Sequence, residues 1–523
     1  MASSRFSFLY TCKDAEAIVN TISQLPVPSH PGKIRHSNVK LLDTFDWALD
    51  ASQTMLLVDE SKSGTQVILS GSRYFMVAPV QPLESEWVLP GFLPNRFLRR
   101  HISELSADRA LLVQSAISTT SYQICFFNSE GLAASILWLF HVPEFGRCAG
   151  LLVSKHGYRS FHQKVESALR DSFKGLKVRV EPGDIFDLVL NTQNRSRGDY
   201  RSKFSLDIEP LSYGCMALGQ ALASEQRRVK KNALWIKDHP DAEFLHDFRV
   251  ALRRTSSFMK SLEPLMGPID ISWFRTELKL FINLTSPVRD LENLEGFVAK
   301  HAKSRPFNGD IALLCSRITA DVSQSYADLS TSIPSERFEH LLSSWSNLAR
   351  SCIALTLGDS ISDGIPVLAS DPRESVQPKT KVGDCARILL IDSGATLIKR
   401  AMKTKRNRTP ESLHKLRKET KTFRYLLEFF EPVLEPDQAR LCIGSIKKLQ
   451  DALGNYQDAF VQVQLLENLC DKCQVPKENV IVLFQELEKS QQTAIANYVR
   501  EIKLFSGPSL FHEIQLATGY RKK

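Results

Sequence analysis

The sequence predicts a multidomain protein: an N-terminal α+β part, mostly antiparallel, followed by an all-α duplicated helical bundle. Three observations carry this reading. At 523 residues the chain exceeds the size at which one hydrophobic core stops growing, so more than one packed unit is expected. Near residue 200 the spacing of apolar residues changes from alternation to a period of about 3.6. A block of the helical part also recurs at a fixed offset.

From residue 5 to about 190 the chain consists of short β-rich runs, RFSFLY, TMLLVDE, TQVILSG, YFMVAPV, YQICFFN and ILWLFHV, broken by turn signals such as SKSGT and NSEG. DAEAIVNTISQL and FHQKVESALRDSF read as helices among them. These elements place the first domain at 1–195, with a polar linker at 196–204. The helical domain is expected over 205–523, its first repeat at about 205–355 and its second at about 385–523. The connection 356–384, rich in Gly, Pro, Ser and Asp, is too irregular for a helix.

Hydrophobic and charged contents of 43% and 24% are those of folded globular proteins and exclude wholesale disorder. The net charge of +9 favours anionic partners if it is localised. The N-terminus lacks a long uncharged segment, and AASILWLFHV at 133–142 is far shorter than a membrane span, so a cytoplasmic protein with no membrane partner is expected. Cys470 and Cys473 form a lone CxxC without a second pair of ligands nearby, which reads as core rather than zinc. No cofactor or metal site is expected.

The repeat localises the charge. FLHDFRVALRRTSSFMKSLEPLM from Phe244 and SLHKLRKETKTFRYLLEFFEPVL from Ser412 superpose without a gap, at an offset of 414 minus 246, or 168. The same offset carries Lys279 onto Lys447 and Asp290 onto Asp458. In the first copy His246, Arg249, Arg253 and Lys260 share one helix face, with Arg254 beside it. In the second, His414, Arg417, Lys421 and Arg424 do the same, with Lys418 adjacent. Arg228 and Lys231 precede the first helix and Arg400 the second, and Arg289 lies in the segment SPVRDLENL. Like charges three or four residues apart repel, so these faces gain little from their own charges and suit an external anion. Each histidine reads as a hydrogen-bonding or phosphate-contacting group rather than a metal ligand, because the arginines at i+3 have no lone pair to give. A solvated basic surface is the plainer alternative for either helix alone.

At these residues the chain resembles the CHAD family, the conserved histidine α-helical domain. LHDFRVALRR and LHKLRKETKTFRYLLEFFEP match its V-H-x-x-R-V-A-x-R-R and L-H-x-L-R-K-x-x-K-x-x-R-Y patterns, and SPVRDLENL and KKLQDALGNYQDA match two further stretches, over about 205–500. The resemblance implies paired helical bundles around a basic groove that binds inorganic polyphosphate, with the cations above as contacts and no catalysis. CHAD domains are often joined to an N-terminal CYTH domain, the triphosphate tunnel fold. LLDTFDWALDASQTMLLVDE resembles its Y-x-D-T-x-D segment, but the E-x-E-x-K strand such a triphosphatase needs is replaced by Arg5-Phe6-Ser7-Phe8-Leu9, so the N-terminal half is expected to be a degenerate, non-catalytic tunnel- or barrel-like domain, or an unrelated α+β domain.

Polyphosphate binding, at polyphosphate granules in the cytoplasm, is therefore the expected function, with the N-terminal domain free to contact a protein partner. A triphosphatase or polyphosphatase working through the N-terminal domain, and a nucleic-acid binder, are the competing readings. The cationic stripes carry few aromatics, with Phe258 and Tyr425 flanking them, whereas single-strand binders usually supply stacking platforms.

Overall fold

The computed structural model describes residues 5–11, 15–32, 34–71, 75–155, 157–175, 185–238, 240–304, 308–356, 372–505 and 508–519. Two compact units emerge, Met1–Ser202 and Lys203–Lys523. Among the described residues, no helix is long and apolar enough to cross a membrane.

The first unit runs β1 (Arg5–Thr11), α1 (Ala15–Ser23), β2 (Ser29–Pro31), β3 (Arg35–Thr44), α2 (Ala48–Ala51), β4 (Met55–Ser61), β5 (Gly64–Ser70), β6 (Phe75–Val80), β7 (Trp87–Val88), α3 (Arg96–Ser106), β8 (Leu111–Phe127), β9 (Ala133–Val142), β10 (Arg147–Ser154), α4 (Arg159–Gly175) and α5 (Ile185–Thr192). The strands form one antiparallel sheet in the order β1-β10-β9-β8-β3-β4-β5-β6, with β2 and β7 also pairing with β8, and the sheet curls into a half-barrel. Two meanders account for most of it, and the 17-residue β8 joins them by pairing with both β3 and β9.

Both faces of this sheet are apolar, which explains runs such as ILWLFHV that do not alternate. On one face Val39, Leu41, Leu57, Ile68, Ile117, Trp138, Phe140 and Leu151 form a single cluster capped by Phe186 and Leu190 of α5. On the other, α1 and α4 cover β8 to β10, and α2 and α3 cover β3 to β5. Helices α1 and α4 fall where the sequence places them. Helix α3 was not anticipated, although Asn95 caps it by accepting a hydrogen bond from the Leu98 N–H at 2.8 Å and its Leu98 and Ile102 are i, i+4 core residues.

The expected linker 196–204 is not a free tether. Arg197 pairs with Asp187 and Asp50 at 2.6 and 2.9 Å, the Trp47 indole donates to Asp199 at 2.9 Å, and Tyr200 packs on Phe45 with ring centroids 4.3 Å apart. Phe204 and Ile208 already belong to the second core. The segment reads as a linker because it is polar, but Arg197 and Asp199 are held in ion pairs that fasten the chain to the first unit.

The second unit is helical: α6 (Gly214–Ile236), α7 (Glu243–Ser261), α8 (Ser272–Ser304), α9 (Gly309–Ser332) and α10 (Glu336–Ala354), then α11 (Val382–Arg406), α12 (Pro410–Phe430), α13 (Pro436–Cys473), α14 (Ile481–Phe505) and α15 (Pro508–Ala517). Thr409 caps α12 by accepting a hydrogen bond from the Ser412 N–H at 3.2 Å, with Pro410 at the first helical position. One continuous core joins both halves, with α7 packed on α12 and α8 on α13. Of the connection 356–384, residues 357–371 lie outside the described residues, and 372–375 form a short 3-10 turn.

The duplication is a pseudo-two-fold. Tyr213 and Lys381, one repeat offset apart, pair with each other in an isolated antiparallel bridge, and the Lys381 ammonium sits 3.7 Å from the centre of the Tyr213 ring. Equivalent residues meet only near a symmetry axis, so this bridge marks one point on it.

Candidate functional site

A second point on that axis is cationic. Helices α7 and α12 cross there, and the next helix of each repeat, α8 or α13, backs the crossing. The stripes read from the sequence meet at this point. Arg253 of α7 lies in the field of Arg417, Asp290 and Asp458, and its repeat equivalent Lys421 in that of Arg417, Arg253, Arg424 and Asp458. Arg249 donates to the Thr285 hydroxyl at 3.0 Å, and its equivalent Arg417 to Asp458 at 3.0 Å. Arg424 pairs with Glu428 at 3.3 Å. The two histidines flank the cluster: His414 shares a 3.1 Å hydrogen bond with Gln457, and His246 stands near Arg289, which is equivalent to Gln457.

Crowding shows in the ionisation of these groups. Burial first, then Arg417 and Arg253, push Lys421 down to about 7. Burial and the neighbouring Arg253 hold Arg249 below the ordinary guanidinium range, and burial lowers Arg253 too. Arginine does not deprotonate in proteins, so Lys421 is the member that yields. Burial raises Asp290 above the usual carboxylate range, against the pull of Arg249. The site thus holds five basic groups, Arg249, Arg253, Arg417, Lys421 and Arg424, around Asp290 and Asp458, with Glu428 against Arg424 at its edge. Such an arrangement favours a multiply charged anion.

Other residues of the sequence-derived set lie apart. Lys279 and Lys447 are exposed on α8 and α13, each eleven residues before its aspartate, so they extend the stripe by about 16 Å along the helix. Lys260 and Lys418 line a separate recess of about 110 Å³ with Arg373 and Thr422, and Arg400 beside it is committed to Glu419 at 2.9 Å. Arg289 pairs with Glu292 at 3.0 Å, and Lys231 is half-buried on α6.

Arg228 and Arg254 depart from the expectation of ligand contacts. Arg254 is 5% exposed, donates to Glu225 at 3.1 Å and Glu428 at 3.2 Å, and stacks over Phe204 and Tyr425 at 4.8 and 5.2 Å. Arg228 donates to the same Glu225 at 2.8 Å. They form an internal strut between α6, α7 and α12 rather than a surface for anions. Replacing Arg254 by alanine leaves Glu225 buried beside a single partner and is expected to cost about 3–5 kcal/mol, measured by chemical denaturation.

Sequence reasoning noted Asp290 and Asp458 but did not count them in the site, and it missed Thr285 and Gln457. The shared offset was the available signal for the aspartates. At the start of α7 the donor atoms of Glu243, His246 and Asp247 gather within 4.8 Å, with Arg289 and Arg249 close enough to oppose a cation. Cys470 is core and Cys473 half-buried, both as free thiols.

The first unit has no comparable cluster among the described residues. One face of its sheet is filled by the apolar side chains named above, and the acids of β4 are taken: Glu60 by Lys40 at 2.8 Å, and Asp59 by Gln66 at 2.8 Å with Arg35 at 3.8 Å. An open cleft of about 800 Å³ is lined mainly by hydroxyl and amide groups, including Ser37, Asn38, Ser61, Thr65 and Thr119.

Fold and site together define a duplicated all-helical domain with cations gathered on its pseudo-axis. Residues 220–467 match the CHAD domain family, and the chain carries a CHAD domain there. Among solved structures it is similar to the CHAD domain from the plant Ricinus communis, at 17% identity and a TM-score of 0.45, covering 62% of this chain and 97% of that one. It is also similar to PptA from Streptomyces chartreusis, at 14% identity and a TM-score of 0.38, covering 56% and 100%. The PH1819 protein from Pyrococcus horikoshii matches at 11% identity and a TM-score of 0.22, covering 37% and 100%. No curated protein matches the chain.

Proposed function

We propose that the helical unit binds inorganic polyphosphate without turning it over, through a basic groove lined by Arg253, Arg417, Lys421 and Arg424 over the buried Arg249 and extended by Lys279 and Lys447. The observation that carries this reading is the meeting of both repeats' cations at one point, where burial and then Arg417 and Arg253 disfavour the Lys421 ammonium. A chain with a negative charge on every unit relieves that crowding along the whole stripe. The CHAD domain is consistent with such a ligand.

A nucleic-acid ligand fits less well, because Phe258 and Tyr425, the aromatics beside the stripes, are 1% and 3% exposed and offer no stacking platform. In the proposed scheme the first unit is a degenerate relative of the triphosphate tunnel fold, lacking its metal-binding carboxylates, and serves as a scaffold or protein-contact module. Residence in the cytoplasm at polyphosphate granules belongs to the same proposal.

The test is a titration of labelled long-chain polyphosphate into the full chain across a salt series, with DNA as competitor and a phosphate-release assay in Mg²⁺ or Mn²⁺. Binding that grows with chain length, weakens with salt, resists DNA and releases no phosphate is expected. Equal preference for DNA at matched salt, or sustained phosphate release, sinks the reading.

A further inference from the structure

The two aspartates are the anomaly of this site: an anion receptor gains nothing by placing carboxylates where its ligand must lie. Yet they occupy equivalent positions in the two repeats, share Arg253 and Arg417 as neighbours and lie within each other's field. Asp458 holds the Arg417 guanidinium at 3.0 Å, and its side chain is 48% exposed against 19% for the arginine, so it stands on the solvent side of the pair. The buried Nε atoms of Arg417 and Arg424 meanwhile meet no acceptor among the described residues. The arginines therefore have donor capacity to spare, and a carboxylate stands in front of one of them.

Resting on the polyphosphate reading, we propose that Asp290 and Asp458 are displaceable counter-ions, which partly neutralise the cluster in the free protein and must be pushed aside by the incoming chain. They then set the negative charge a ligand must bring. Long polyphosphate outcompetes two carboxylates because it lays charge along the whole stripe, whereas inorganic phosphate and tripolyphosphate, with one and three phosphates, are too short to do so. The same carboxylates offset the mutual repulsion of five cations while the site waits.

The alternative role for these residues is to orient the arginines, and the two roles predict opposite signs. The full chain is prepared as wild type, D458N and D290N/D458N, with melting temperature and circular dichroism as folding controls. The single variant changes a half-exposed side chain and keeps the test available if the double variant misfolds. Displaceable counter-ions predict long-chain polyphosphate affinity rising by about tenfold or more in the double variant, as two repulsive charges leave the site, and tripolyphosphate gaining measurable binding. They also predict a lower melting temperature without ligand and a larger polyphosphate-induced rise. Unchanged or weaker binding by folded asparagine variants, with the wild type binding normally, overturns this inference alone. Binding by neither wild type nor variants overturns the polyphosphate reading and the inference with it.

Discussion

The R253M/R417M/K421M variant is expected to bind long-chain polyphosphate at least about 100-fold more weakly than wild type near 0.1 M salt, while melting no lower than wild type. Each cation–phosphate contact is worth about 1 kcal/mol in water and about 4 at an effective dielectric of 20, so three lost contacts exceed a hundredfold at modest screening. The salt dependence should flatten as well, by about 2–3 in the slope of log affinity against log salt, as fewer counter-ions are released. Methionine keeps the buried stems of the long side chains, so packing changes little. Stability should hold because these cations repel one another: Lys421 is pushed down to about 7 by burial and by Arg417 and Arg253, which is the mark of a group held against its preference. Titration with labelled polyphosphate and a thermal melt of the same samples decide the matter. Loss of binding with a collapsed melting temperature would instead make these residues part of the core.

The stripes were legible because a helix turns an interval of three, four or seven residues into a shared face, which the sequence displays directly. His246, Arg249 and Arg253 come together for that reason, as do His414, Arg417, Lys421 and Arg424. What the interval does not display is the neighbour across the face. Arg254 lies one position from Arg253, about 100° around the helix, and that rotation turns it from the shared cluster onto Glu225 and Glu428, residues 29 positions before and 174 after it in sequence. Arg228 was misread for the same reason. The polar stretch around Arg195 to Tyr200 resembled a linker because composition reports polarity but not whether each charge has a partner. In the sheet, the short β-rich runs identified strands, but not that β8 pairs with both meanders along its length, since register depends on partners far away in sequence.

Lys421 makes a second, sharper prediction. Its ammonium is destabilised by burial and by Arg417, Arg253 and Arg424, and only Asp458 favours it. A phosphate chain laid beside it supplies the missing negative charge and moves its pKa back toward the ordinary 10.5, so binding takes up about one proton between pH 7 and the bound-state value. Affinity is then highest below pH 7 and falls by about tenfold per pH unit above it, whereas the arginines stay charged throughout and contribute no slope. Stability of the free protein runs the other way: a lysine depressed in the folded state contributes stability that is complete above 10.5 and lost as the pH falls to about 7. One side chain thus drives binding and stability in opposite directions over the same window. Titrations between pH 7 and 9 should show the slope in wild type and lose it in K421M, with proton uptake seen calorimetrically in buffers of different ionisation enthalpy. A wild-type affinity that stays flat from pH 7 to 9 would mean that the lysine is already neutralised within the fold, and that the chain's phosphates never reach the point where the two repeats meet.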